Sequence, residues 1–315
     1  MGPRKRQFAV LLLACLGAAY GCKFLNPYNV QVLQEVCISV VLAVSLNLIN
    51  GYTGQFSLGH AGFMAVGAYT SAFVTTTVLH PKGILAGQAG LLAALILGGV
   101  VAAAVGFLVG APSLRLRGDY LAIVTLGFGE IIRVVFENLD FMGGPRGFSV
   151  KGSTPETRWL LAFWGLAFAV VTTYSVLALV HSTYGRGFLA VKDDEVAAEA
   201  MGINTTRYKI VAFVIGAFFA GIGGGLYGQA KQFINPEAFD FLKSIEIVVM
   251  VILGGMGNTA GVIIAAIVLT ILPEALRGFE SYRMILYSLM LIVIMLVRPD
   301  GLFNFGSWRG AKASK

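Results

Sequence analysis

The chain has 315 residues, of which 57% are hydrophobic and only 12% are charged, and its mean hydropathy is +0.79. A soluble domain carries about 25% charged residues, so this composition excludes an ordinary soluble protein and predicts a polytopic membrane protein. The formal net charge of +7 is explained by basic residues that flank membrane spans, and no basic face with interleaved aromatic residues predicts binding to nucleic acid.

Apolar runs along the chain predict an all-α polytopic fold with about ten transmembrane helices, some of them broken or re-entrant. The predicted spans, in chain order, are Phe8–Cys22, Val30–Ile49, Phe56–Leu79, Gly87–Val109, Tyr120–Leu139, Trp159–Val180, Tyr208–Ala230, Leu242–Leu253, Gly261–Leu276 and Met284–Val297. The first span follows Arg4, Lys5 and Arg6 as a signal peptide would, and we interpret it as a retained helix. We treat residues 1–315 as a single transmembrane domain.

The distribution of Lys and Arg predicts the orientation of this domain. Ten spans place both termini on one side, and the segments on that side carry more Lys and Arg than those on the other side. The positive-inside rule therefore predicts that both termini are cytoplasmic. The most charged segment, His181–Lys209, then lies in the cytoplasm between the sixth and seventh spans.

The fifth span contains the charged residues Glu130, Arg133 and Glu137. Their spacings of i,i+3 and i,i+4 place all three on one stripe of a helix, where they can neutralise one another. We interpret them as a structural ion triad. An ion-coupled secondary transporter, which would use a membrane carboxylate or histidine that faces a cavity, is the open alternative.

Two glycine-rich breaks interrupt the apolar runs. Gln55, Ser57 and His60 follow the first break, and a broken membrane helix is tolerated where its backbone lines a cavity or is buried in protein. We assign these residues to the translocation path or gate, with a kink buried in the helix bundle as an equal alternative. The same two interpretations apply to the second break, where a tight cytoplasmic turn is favoured; its candidate residues are Gly254, Gly255 and Asn258.

Motifs of catalysis and metal binding are missing from the sequence. It contains no Gly-x-x-x-x-Gly-Lys-Ser/Thr loop, no Ser/His/Asp set, no paired catalytic carboxylates and no His/Cys cluster. We therefore predict a protein that is not an enzyme, with no catalytic residues, no metal and no cofactor of its own.

Four stretches carry a resemblance to a known family. Val196–Asn204 resembles the cytoplasmic EAA-like loop of ABC importer permeases, with Glu199, Ala200 and Gly202 at the matching positions. The stretches that are similar to the branched-chain amino acid branch of that family are Asn50–Phe63, Leu116–Phe128 and Val251–Asn258. On these motifs the chain is identified as a Liv-type permease, the M-type subunit, of the bacterial inner membrane.

This resemblance implies a transport subunit that works inside a larger complex. A second, similar permease would complete the translocation path as a heterodimer in the lipid bilayer. Two ABC ATPase subunits would bind the ATP, and a periplasmic binding protein would deliver the substrate. The implied substrates are branched-chain or other neutral amino acids, and the alternative is a related importer for urea or short amides.

The loop at 182–207 is predicted to couple the permease to the ATPases through a short amphipathic helix over Asp193–Asn204. Val196, Ala197, Ala200 and Met201 form an apolar stripe, acidic residues suit the amino end of the helix, and Gly202 can end it in a left-handed cap. The predicted coupling residues are Asp193, Asp194, Glu195, Glu199, Ala200 and Gly202.

Overall fold

The computed structural model describes residues 20–24, 26–78, 84–114, 116, 118–150 and 158–279, together with the single residues 17, 285, 288, 289, 292 and 296. These residues are almost entirely helical, as the sequence predicts. The predicted first and tenth spans, Phe8–Cys22 and Met284–Val297, lie mostly outside the described residues.

The described helices, in chain order, are α1 Pro27–Asn47, α2 His60–Phe73, α3 Ile84–Ser113, α4 Asp119–Glu137, α5 Arg158–Val180, α6 Thr183–Asp193, α7 Glu195–Ala200, α8 Thr205–Lys231, α9 Phe241–Gly254 and α10 Thr259–Ala275. One turn of π-helix extends α1 over Leu48–Tyr52, and another extends α2 over Val74–Val78. Short 3-10 turns cover Cys22–Phe24, Asp140–Met142, Gly144–Arg146, Pro236–Phe239 and Leu276–Phe279. Two short strands, β1 Phe148–Ser149 and β2 Phe233–Ile234, pair antiparallel.

Five helical segments of the described chain are long and apolar enough to cross a bilayer: Pro27–Tyr52, Gly87–Ser113, Trp159–Val180, Thr205–Lys231 and Thr259–Gly278. The remaining predicted spans differ from these. Helix α9 has 14 residues, or about 21 Å at 1.5 Å per residue, against about 30 Å for the hydrocarbon core. Helix α2 has 14 residues and its π-helical turn adds five, but this segment is not among the five long apolar ones. Helix α4 carries the charged triad. The structure therefore supports a mostly helical membrane protein, and the number of ten spans stays a prediction.

Helix α8 forms the centre of the bundle, where it packs against α1, α2 and α3. Glycines permit this close packing, as is common between membrane helices. A Cβ atom on Gly67 of α2 would overlap the backbone of Gly221 in α8, and one on Gly224 would overlap the backbone of Met64. The rings of Phe63 and Phe213 fill the same interface, edge to face, with centroids 5.3 Å apart.

Contacts between α1, α8 and α10 define two ends of the bundle. Helix α8 begins beside residues 181–204, at what we call the proximal end, and finishes at Lys231, whose Nζ lies 2.6 Å from Glu35 Oε1 of α1. Tyr28, at the start of α1, hydrogen-bonds Glu274 at the end of α10. These contacts mark the distal end, so α1 runs from distal to proximal while α8 and α10 run in the opposite direction.

The third predicted span, Phe56–Leu79, begins too early, because residues 53–59 are not helical and α2 starts at His60. We call residues 53–59 the break. Backbone amides at the end of the break and in the first turn of α2, which lack a helical partner, bond to side chains of other helices. Leu58 N donates to Thr125 Oγ1 at 3.1 Å, and Ala61 N donates to Ser244 Oγ at 3.1 Å.

Candidate functional site

The segment between α5 and α8 contains two short helices that meet at Asp194. This residue has an extended backbone, with φ −157° and ψ 109°. Its Oδ1 accepts hydrogen bonds from Val196 N at 2.9 Å and Ala197 N at 3.0 Å, which caps α7. The prediction of one helix over Asp193–Asn204 is therefore wrong in extent, because Asp193 ends α6 and Asp194 starts a new helix.

Gly202 ends α7 in the left-handed cap that the sequence predicts. Its φ is 84°, a region that glycine adopts at little cost. Gly202 N donates to Glu199 O at 2.9 Å, and Ile203 N donates to Ala198 O at 3.0 Å. These two bonds form a Schellman motif, which turns the chain sharply into α8.

Two acidic residues attach α7 to the first turns of α8. Lys209 Nζ lies 2.6 Å from Glu195 Oε1, and Thr205 Oγ1 donates to Glu199 Oε1 at 2.7 Å. Lys209 is only 5% exposed, so this ion pair is largely out of water. The sequence did not identify Lys209 as a site residue, because it lies 14 residues from Glu195. The one sequence feature that could have identified it is its position as a charged residue at the start of an apolar span.

The opposite side of α7 is uncovered. Val196 is 63% exposed and Met201 is 82% exposed, and Ala197 and Ala200 are also exposed. We call these four residues the α7 face. Ala198 faces inward and is buried. An apolar stripe on a rigidly held helix is the pattern of a helix that docks into a groove.

The break is buried and folds back on the end of α1. Thr53 Oγ1 donates to Ile49 O at 2.7 Å, and Gln55 N donates to the same carbonyl at 3.1 Å. Ser57 N donates to Asn50 Oδ1 at 3.3 Å. The side chains of Gln55 and Ser57 are buried, as is that of His60 at the start of α2.

His60 is held by α1. Its Nε2 lies 2.9 Å from Ser45 Oγ, and Ser45 Oγ donates its own proton to Leu42 O at 2.9 Å. Because the hydroxyl has only one proton, it accepts from His60 Nε2–H. In the neutral imidazole this leaves Nδ1 as a hydrogen-bond acceptor.

The second break is the tight turn that the sequence favours. Helix α9 ends at Gly254, Gly255 and Gly257 have φ values of 89° and 87°, and Asn258 caps α10 by accepting from Gly261 N at 3.3 Å. We call residues 255–258 the turn. The structure brings the turn and the break together, since Asn47 Oδ1 accepts from Gly257 N at 2.9 Å.

Lys192, one residue before the end of α6, contacts both features. A Cβ atom on Gly54 would lie 3.3 Å from Lys192 Cγ, and one on Gly257 would lie 3.1 Å from Lys192 Nζ. The side chain therefore reaches from the break to the turn. Sequence reasoning missed this residue, because its partners are distant in the chain and are glycines.

The triad of α4 forms as its spacing predicts. Arg133 Nε lies 2.7 Å from Glu130 Oε2, and Arg133 NH1 lies 3.1 Å from Glu137 Oε2. All three side chains are only partly exposed. The break contacts the same helix at Thr125 and at Gly129, on the amino-terminal side of the triad.

Among the described residues, no group of three or more His, Cys, Asp or Glu is arranged to hold a metal ion.

A surface cavity of about 280 Å³ lies between α6 and the start of α8, and its lining includes Tyr184, Asn204, Arg207 and Tyr208. The candidate site is therefore made of two connected parts: the α7 face at the surface, and the buried break and turn that Lys192 contacts.

Comparisons with known proteins place this architecture in a family. Residues 28–296 match the family described as the permease component of branched-chain amino acid transport systems. The high-affinity branched-chain amino acid transport system permease protein LivM of Salmonella typhimurium is 36% identical over 93% of this chain and 74% of its own length. LivM of Escherichia coli is 35% identical with the same coverage.

A second type of permease is also similar. The LivH permease protein of Escherichia coli is 26% identical over 84% of this chain and 90% of its own length. No solved structure matches the chain. Because the family covers most of the chain and the LivM proteins exceed 30% identity, this chain belongs to the branched-chain amino acid transport permeases and is of the LivM type.

Proposed function

We propose that this chain is the transmembrane permease subunit of an ATP-driven ABC importer for branched-chain and other neutral amino acids. The observation that carries the proposal is the α7 face, an exposed apolar stripe on a helix held by Glu195 and Glu199. The names of its LivM and LivH relatives, which are branched-chain amino acid permeases, support the substrate class.

The α7 face couples transport to ATP hydrolysis by docking on an ATPase subunit. A helix that transmits movement must be fixed to the rest of the permease. The buried pair of Lys209 and Glu195 fixes α7 to α8, and α8 packs against the helices around the break. Asp193 and Asp194 lie at the junction of α6 and α7, where both are exposed.

The chain lies in the bacterial inner membrane as one permease domain with ten spans. Both termini and the segment at 182–207 face the cytoplasm, in agreement with the bias of Lys and Arg. Helices α2, α4 and α9 then cross as helices that are less apolar, charged or short, and they are packed inside the complex, where protein covers them.

A second permease of the LivH type completes the translocation path as a heterodimer. Two ABC ATPase subunits bind the ATP, so the permease itself is not an enzyme and needs no cofactor. A periplasmic binding protein delivers the substrate. The break and the turn, with Gln55, Ser57, His60 and the residues around Gly255, form this chain's half of the path or its gate.

Replacement of apolar residues by serine tests the coupling role. We expect Met201→Ser together with Val196→Ser to reduce co-purification of the ATPase subunits and ATP-dependent leucine uptake, while the permease stays in the membrane. The matched control is Phe233→Ser, at an exposed apolar residue of the distal end, which should leave co-purification of the ATPase subunits unchanged. Normal uptake in the double variant, or leucine transport by the purified chain without ATP, would overturn the proposal.

A further inference from the structure

Buried polar side chains are concentrated around the break. Some side-chain nitrogen and oxygen atoms of the described residues are buried and have no hydrogen-bond partner. Six of these atoms belong to five residues between positions 47 and 60: Asn47, Asn50, Gln55, Ser57 and His60. All five residues are at most 4% exposed. Buried polar atoms in native proteins are normally paired, so these unpaired atoms within one short segment require a partner from outside the chain, either water or a ligand.

We propose that the break binds the α-carboxylate and α-ammonium groups of an amino-acid substrate through these uncharged side chains. This inference rests on the proposed function. It goes further by naming the chemical groups of the substrate that the permease recognises and the residues that recognise them.

The unpaired donors suit a carboxylate. Asn47 and Asn50 each have a free amide nitrogen, and they lie three residues apart, on the same side of the helix end. Ser57 N donates to the Asn50 side chain, so the Asn50 amide nitrogen lies next to Ser57, whose own hydroxyl is unpaired. Helix α2 starts three residues later, and the amino end of a helix favours negative charge.

The unpaired acceptors suit an ammonium group. His60 donates from Nε2 to Ser45, so its unpaired Nδ1 accepts. Gln55 has both its amide oxygen and its amide nitrogen unpaired. An ammonium donates up to three hydrogen bonds and accepts none, which matches these two acceptors.

The charge of the region fits a ligand that is neutral in total. Between Glu35 and Lys82, the segment that holds all five residues, the sequence contains no Asp, Glu, Lys or Arg, and the cation that approaches from α6, Lys192, is exposed to solvent and lies beside Gly54 and Gly257. A buried net charge would be costly without a counter-charge, whereas a zwitterion brings both charges itself.

The unpaired atoms have no contact with solvent, so the site is closed in this structure. Substrate access requires the break and the start of α2 to separate from their contacts at Thr125 or Ser244.

Binding can be measured directly on the complete transporter, purified in lipid nanodiscs without the periplasmic binding protein. Saturation-transfer NMR would be recorded with L-leucine, L-leucinamide, 4-methylpentanoate and urea as probes. We expect transfer to L-leucine, and we expect the two leucine analogues to bind at least about tenfold more weakly. Each analogue lacks one charged group of leucine, and a hydrogen bond to a charged group contributes about tenfold in affinity. Urea should give no signal.

Variants then locate the site. Ser57→Ala should weaken L-leucine binding by about tenfold for the same reason, and Asn50→Asp should abolish it by placing a second carboxylate beside that of the substrate. Thr76→Val removes another buried, unpaired hydroxyl, in the π-helical turn that extends α2 and far along the helix from His60, and should change nothing. Ser57→Ala is the decisive variant if Asn50→Asp fails to fold.

Equal binding of L-leucine and L-leucinamide, a response to urea alone, or unchanged L-leucine binding in Ser57→Ala would overturn the inference. Absence of any probe signal would do the same and would mean that water alone completes these atoms. The proposed function is judged separately, by ATP-dependent leucine uptake of the wild-type complex. If uptake occurs and the break variants bind normally, only the inference fails.

Discussion

The side chain of Lys192 lies against Gly257, so that its Nζ would be 3.1 Å from a Cβ atom at that glycine. The same side chain passes Gly54 of the break. Lys192 is also the neighbour of Asp193, where the segment leading to the α7 face begins. Lys192 therefore lies between the α6–α7 segment, which we assign to contact with the ATPase, and the break and turn, which we assign to the translocation path.

We expect Lys192→Ala to lower leucine uptake per ATP hydrolysed by about fivefold or more, the lower end of typical coupling effects between sites. ATP hydrolysis and assembly of the complex should persist, because Lys192 is exposed and is not part of the core. Uptake and phosphate release would be measured together in proteoliposomes.

The control for Lys192 is Arg186→Ala, which removes an exposed basic side chain from the same helix. Lys192→Arg should retain most of the coupling, since it keeps a long side chain and a positive charge. An unchanged ratio of uptake to hydrolysis in Lys192→Ala would show that the contact with Gly257 does not transmit movement.

Glu195→Gln should loosen α7 from α8. It leaves Lys209 buried without its ionic partner, and removing one member of a buried pair is costly. We expect about 1–3 kcal/mol, less than for a fully buried pair, because Glu195 is partly exposed. Hydrogen exchange of the amides in α7 should accelerate while exchange in α8 beyond its first turns stays slow.

The double variant Glu195→Gln with Lys209→Met provides the comparison for that measurement. It removes both charges and keeps the aliphatic stem of Lys209, so α7 should exchange more slowly than in the single variant. If Glu195→Gln alone leaves the exchange of α7 unchanged, the ion pair does not hold the helix.

Gly202→Ala should destabilise the end of α7 by about 1–2 kcal/mol, the usual cost of a left-handed backbone for a residue with a Cβ atom. No atom lies within 4 Å of the added Cβ, so the cost comes from the backbone alone. Gly202→Asn should cost less, because Asn adopts this conformation more readily. The measurement is hydrogen exchange at Ile203, and equal exchange in Ala and Asn variants would contradict this explanation.

Gly67→Ala should destabilise the bundle by about 1–3 kcal/mol, the usual cost of overpacking. Its Cβ atom would overlap the backbone of Gly221, which cannot move without shifting α8. Gly127→Ala in α4 is the matched control, since nothing lies within 4 Å of its Cβ. Thermal denaturation of the detergent-solubilised chain should separate the two variants, and equal melting temperatures would contradict the packing argument.

The charged triad of α4 can be tested for a role in ion coupling. Arg133→Gln alone should impair the protein, because it leaves Glu130 and Glu137 without their cation. The triple variant Glu130→Gln, Arg133→Gln, Glu137→Gln removes all three charges together. If the triad is structural, the triple variant should recover ATP-dependent uptake.

Loss of uptake in the triple variant, with normal assembly of the complex, would instead favour a functional role for these carboxylates. Dependence of wild-type uptake on a proton or sodium gradient, measured with an ionophore in ATP-loaded vesicles, would identify that role as ion coupling.

Features that depend on near neighbours in the chain could be predicted from the sequence. Apolar runs and low charge gave the helical membrane class, and the motifs around Glu199 gave the family. The triad formed as expected, because spacings of three and four residues become contacts in any helix. The left-handed cap at Gly202 was also predictable, since it involves only the last turn of α7.

The tertiary structure alone decided the contacts that make up the candidate site. The amide of Leu58 in the break and the amide of Ala61 in the first turn of α2 find their partners 67 and 183 residues away, at Thr125 and Ser244, and the apolar run at Phe56–Gly59 gave no sign of these contacts. Glu195 was predicted as an ATPase-coupling residue from its place in the loop, and only the folded chain shows that its carboxylate pairs with Lys209. Sequence spacing sets which residues share a helix face, but packing between helices determines what each face meets, so the link from Lys192 to Gly257 and the buried atoms of the break became visible only in the folded bundle.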